Sequence, residues 1–193
     1  MNLISIFREK NGSMSIEFAI VCLCFFVIIY FSANIGIAIL QHNKLERVNY
    51  SSFTLMRERT KLYGNSLKKI DQNEVNELLL ATKQMLGENL SQHLQIQLEA
   101  IYFDKKSTEN NRIIKETIKL ISQTDTELPN SECFSDLPPT KELHLYSAWS
   151  AEGWIPIIRL SLCAKNTNLI PITFLDNTLF PSLYQTSSLG MIR

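Results

Sequence analysis

Glu17 stands directly before a run of 23 residues, Phe18 to Leu40, that contains no Asp, Glu, Lys or Arg. A carboxylate at the mouth of so apolar a segment calls for a counter-charge, because a lone charge is poorly solvated there. Cleavage after Gly12 would supply one: Ser13 would carry a new amine, and Glu17 would become the fifth residue of the shortened chain. One helical turn separates the two positions, so amine and carboxylate could meet within a chain or between neighbouring chains. Pairing of the second kind would also fix the axial register of helices packed side by side. Ser32, Ala33, Gly36 and Ala38 are small enough to let such helices approach closely.

The other residue types with chemical potential form no catalytic or metal-binding pattern. His42, His93 and His144 fall in no ligand spacing and read as ordinary surface or core residues. Gly-x-Ser-x-Gly, His-Glu-x-x-His, P-loop and dinucleotide fingerprints are all missing, so no catalytic residue, cofactor or metal is assigned. Cys22 and Cys24 lie two apart in the apolar run and would point to different sides of a helix. Cys133 and Cys163 lie far downstream. In an oxidising compartment they could close a loop of about 30 residues, stabilising the fold by roughly 3–4 kcal/mol on the chain-entropy model. Two free buried thiols are the other reading. With 19 basic and 19 acidic residues the chain lacks the basic excess of nucleic-acid-binding proteins.

These residues need elements to hold them. Phe18 to Leu40 would make a helix of roughly 34 Å, enough to cross a hydrocarbon core. No proline or glycine interrupts Gln41 to Tyr63, where Leu45, Val48, Ser52, Leu55, Met56 and Arg59 fall near one helical face. The helix is therefore expected to continue as an amphipathic stalk to about Gly64. Asp71 should cap a second helix, with Glu74 completing a capping box and Val75, Leu78, Leu79, Thr82, Leu86 and Leu90 as its apolar stripe. Beyond it Leu94, Ile96, Leu98, Ala100 and Tyr102 alternate with Gln95, Gln97 and Glu99, as in a half-buried strand. Arg112 to Ile121 fits a short helix or a strand. The prolines of Leu128 to Thr140 mark a loop carrying Cys133. Leu143 to Ala148 and Trp154 to Cys163 read as a hairpin about Ser150–Gly153, with Trp149 and Trp154 packed across it. Pro156 argues for a free edge or bulge. Leu169 to Arg193 reads as a loosely structured tail packed by Phe174, Phe180 and Tyr184. The fold class is α+β, divided into residues 1–12, a helix and stalk over 13–63, and a globular part over 64–193.

The segment from Arg8 to Leu40 resembles the type IV prepilins: a short basic leader ending in glycine, an acid five residues on, then an apolar helix. Glu17-Phe18 resembles the Glu-Phe or Glu-Tyr of the tight-adherence (Tad/Flp) branch. The end of the chain, Leu145-Tyr146-Ser147 and Trp154 to Cys163, is similar to the closing segment of the TadF group of minor pseudopilins, with TadE as the sister group. The resemblance implies a leader of residues 1–12 cut between Gly12 and Ser13 by a prepilin peptidase. It implies Glu17 and Phe18 as the residues of subunit packing and register. As partners it implies other pilin and pseudopilin subunits and the inner-membrane assembly machinery of a Flp pilus used in adherence and biofilm formation. The chain would sit in the bacterial inner membrane, its N-terminus cytoplasmic and its C-terminal domain periplasmic.

Charge alone argues slightly the other way, since Arg8 and Lys10 precede the apolar run while Lys44, Arg47, Arg57 and Arg59 follow it. Peptidase access and a disulfide between Cys133 and Cys163 both require the orientation given above. Two other function classes compete with a structural subunit: a membrane-anchored exported enzyme, and an anchored binding or accessory domain whose leader is never cut.

Overall fold

The structure, a computed structural model, describes residues 10–58, 69–104, 106–107, 113–122, 133–134, 149–150, 153–165 and 183–192. For 10–14, 89, 149, 150 and 153 it describes the backbone alone. Its elements are α1 (Lys10–Arg57), α2 (Gln72–Leu86), α3 (Glu88–Ser91), β1 (Leu94–Phe103), β2 (Ile114–Ile121), β3 (Trp149–Ser150), β4 (Gly153–Trp154), β5 (Ile157–Lys165) and β6 (Leu183–Met191). The chain forms two compact units, one up to Gln41 and the other from His42 onward. The architecture is α+β, as expected.

The second unit is a layer of helices on a four-stranded antiparallel sheet of order β2-β1-β5-β6. Its core lies between the layers. Leu45, Val48, Phe53 and Met56 come from α1, and Val75, Leu78, Leu79 and Leu86 from α2. They meet Leu94, Ile96, Leu98 and Ala100 of β1 and Ile158, Leu160, Leu162 and Ala164 of β5. The two helices are joined inside this layer by a hydrogen bond between the Ser52 and Thr82 hydroxyls. Of the stalk face, Leu45, Val48, Ser52 and Met56 are buried while Leu55 is exposed. Arg59 and Gly64 lie outside the described residues.

Asp71 caps α2, its carboxylate accepting from the Gln72 backbone N–H at 2.7 Å. The stripe from Val75 to Leu90 is buried throughout. Gly87, at φ 76°, takes the left-handed conformation that ends α2 and turns the chain into α3. Lys44 of α1 donates to the Leu86 carbonyl at this end, where a cation suits the exposed carbonyls.

Four sequence expectations need correction. Leu183 to Met191 is not loose tail but β6, paired with β5 from Ile157↔Met191 to Lys165↔Leu183. Its core-facing positions are Tyr184, Thr186, Ser188 and Gly190, the last three small because α1 fills that space. Asn49 donates to the Thr186 and Ser188 hydroxyls, and a Cβ on Gly190 would lie 2.8 Å from Phe53. Secondly, β1 is buried on both faces, including Gln95, Gln97 and Glu99. It is an inner strand whose second face carries its own partners. Thirdly, Trp154 to Cys163 is not one strand, since Ile155 and Pro156 separate β4 from β5. Fourthly, Pro156 marks that break rather than a free edge, and β5 is an inner strand. The ambiguous Arg112–Ile121 segment resolves as strand β2 over Ile114–Ile121. Trp149 and Trp154 stand opposite each other in the β3–β4 ladder. Leu143 to Ala148 lies outside the described residues, as does Leu128 to Thr140 apart from Cys133 and Phe134.

Candidate subunit-packing helix and stapled sheet

The first compact unit is the front of α1. From Phe18 to Leu40 its apolar side chains point outward on every side of the helix: Phe18 is 71% exposed, Phe26 72% and Leu40 68%. None of the residues from Phe18 to Leu40 is buried. A helix apolar all round is the kind that lipid or other helices cover.

The polar groups in this stretch turn back onto the helix. Ser32 Oγ donates to the Ile28 carbonyl and Asn34 Nδ2 to the Tyr30 carbonyl, each at 2.8 Å. Such i−4 bonds keep polar hydrogens out of an apolar surround. A Cβ on Gly36 would meet nothing within 4 Å, so its helix surface is open. Cys22 is half-buried, Cys24 is exposed, and both are free thiols.

Of the residues singled out in the sequence, Glu17 is exposed within α1, with Phe18 beside it. Gly12 and Ser13 belong to the same helix, described there by its backbone alone. Cys133 and Cys163 are joined, with Cα atoms 5.7 Å apart. Cys163 sits fully buried on β5, in register with Gln95 on one side and Gln185 on the other. Phe134 and Leu183 pack against the bond.

That staple lies on the sheet face turned away from the helices, where an ion pair went unforeseen. Glu99 and Arg159 are directly opposite in the β1–β5 register, and their side chains pair within the fold. Gln97 Nε2 donates to Glu99 Oε1 at 3.1 Å, and Lys119 Nζ stands 4.0 Å from the same oxygen. The available signal was the alternation itself: the supposed solvent face of β1 carried Glu99, and that of β5 carried Arg159. Among the described residues no cluster of His, Cys, Asp or Glu is set to hold a metal ion.

An apolar helix uncovered by its own chain, leading into a helix-on-sheet unit, is the division of labour of a pilin-like subunit. The chain belongs to the TadF family, tight adherence pilin protein F, whose family model matches residues 5–193. This is a family of pilin subunits rather than enzymes. No curated protein and no solved structure matches the chain.

Proposed function

We propose that this protein is a minor pilin subunit of a tight-adherence (Flp-type) pilus, without catalytic activity of its own. The observation that carries the reading is the front of α1, apolar on all sides and uncovered, with Glu17 at its head. A prepilin peptidase cuts between Gly12 and Ser13, and the new amine and the Glu17 carboxylate set register against neighbouring subunits. Because a peptidase grips extended backbone, the first turn of α1 must open for cleavage. Gly12 eases this, since glycine in a helix is about 1 kcal/mol less favourable than alanine.

Before assembly the chain sits in the bacterial inner membrane with its N-terminus cytoplasmic and the unit carrying the Cys133–Cys163 bond periplasmic, where disulfides persist. Its partners are the peptidase, the other pilin and pseudopilin subunits, and the inner-membrane assembly machinery, and its output is surface adherence and biofilm formation.

Intact-mass measurement of the full chain, expressed with and without a prepilin peptidase, tests this. The expected product begins at Ser13 and disappears when Gly12 is replaced. Glu17→Ala should abolish or strongly reduce piliation while leaving membrane insertion unchanged. A chain that keeps Met1 beside a competent peptidase, with piliation indifferent to Glu17→Ala, would leave the anchored accessory domain as the better account.

A further inference from the structure

Within Phe18–Leu40 the amide of Asn34 keeps both donor and acceptor capacity beyond its bond to its own helix. Ser32 spends its only hydrogen on Ile28, whereas Asn34 uses one of its two Nδ2 hydrogens on Tyr30. The second hydrogen and the Oδ1 acceptor have no partner among the described residues. In hydrocarbon, lipid offers neither a donor nor an acceptor, so this side chain gains by meeting a polar group on another helix.

We propose that two copies of this chain associate side by side in the membrane through the Asn34 face, each Asn34 donating Nδ2–H to the Oδ1 of the other. This rests on the membrane-anchor reading above. A second copy is favoured because the leftover set, one donor and one acceptor, is complementary to itself. Two copies inserted in the same direction also place Asn34 at the same depth without further adjustment, whereas a different chain would need its own polar group there. In a helix apolar all round, hydrophobicity picks out no seam, but Asn34 does. Counting in sevens from it puts Ile20, Val27 and Gln41 on the same line, with Leu23, Tyr30 and Ile37 on the adjoining one. Ile20, Leu23, Val27, Tyr30 and Ile37 are all exposed. Branched residues with one asparagine on the first line are the pattern that fixes a parallel two-stranded pair and its register.

The test uses the full chain in native membranes, with Cys22 and Cys24 changed to alanine and a single cysteine placed on or off the seam. Val27→Cys lies on it, and Phe25→Cys lies half a turn away. Val27→Cys should form oxidative homodimers several-fold more efficiently than Phe25→Cys. Asn34→Leu should lower that yield about three- to tenfold, the range that interhelical hydrogen bonds in membranes support. Asn34→Gln should retain most of it. Equal cross-linking at both positions, or indifference to Asn34→Leu, overturns the proposal while alkaline-carbonate extraction still finds the chain in the membrane pellet. A carbonate-soluble chain overturns the anchor reading and this proposal with it.

Discussion

On one face of the sheet Leu98, Ile158, Leu160 and Leu162 meet the helices; on the other Gln97, Glu99, Arg159 and Ser161 are buried as well. The apolar face draws its stability from area removed from water, which is non-directional and tolerant of swaps that conserve volume. The polar face depends on geometry. Glu99 and Arg159 share a rung of the β1–β5 ladder, and a slip of either strand by one residue would put the two on opposite faces. Gln97 Oε1 and Ser161 Oγ have no partner among the described residues, so that face is less completely satisfied than the apolar one. One face supplies driving force; the other discriminates between strand alignments.

The comparison breaks most sharply at Arg159. Arg159→Ala removes the nearest cation from the Glu99 carboxylate, which keeps Gln97 and the more distant Lys119, and should cost up to about 3–5 kcal/mol in urea unfolding followed by tryptophan fluorescence. The double variant Glu99→Met/Arg159→Leu should recover most of that loss. Single and double variants of equal stability would mean the pair does not act as a unit. A smaller effect is expected on the apolar face at Gly190, where a side chain would meet the Phe53 ring. Gly190→Val should destabilise by about 1–3 kcal/mol, the usual range for overpacking, and Phe53→Leu in the same chain should relieve part of it.

The smallest effect concerns Tyr184, whose phenol is pushed above its ordinary value near 10 by burial. The folded state therefore holds this proton more tightly than the unfolded chain. Its contribution is fully present below pH 10 and declines as pH rises through the unfolded and then the folded pKa. Tyr184→Phe should flatten the alkaline limb of the stability profile and leave the neutral region unchanged.

Where an element declares itself through its own neighbours, the sequence was sufficient. The α2 stripe and the Asp71 cap are local patterns, and the Phe18–Leu40 part of α1 is a single uninterrupted apolar run. What escaped was written by distant residues. Thr186, Ser188 and Gly190 look unlike a strand face until Asn49 and Phe53 are brought against them from more than 130 residues away. Glu99 looked solvent-bound for the same reason, because its partner stands 60 residues later. The front of α1 was legible in composition alone. Which side of it meets a neighbour was not, since every side is apolar.

The pairing of Asn49 with Thr186 and Ser188 has a consequence for the order of events. If the chain is threaded across a membrane from its N-terminus, as proposed, α1 emerges early and Leu183–Met191 much later. The hydroxyls that hold Asn49, and the gap that receives Phe53, do not exist until that late segment arrives. Until then β5 has an open edge and the α1 side of the core is incomplete, so the contact order of this unit is high and its folding correspondingly slow. A half-threaded molecule would hold its anchor helix ready while its sheet waited, leaving a protease or chaperone at the exit face its longest opportunity to act.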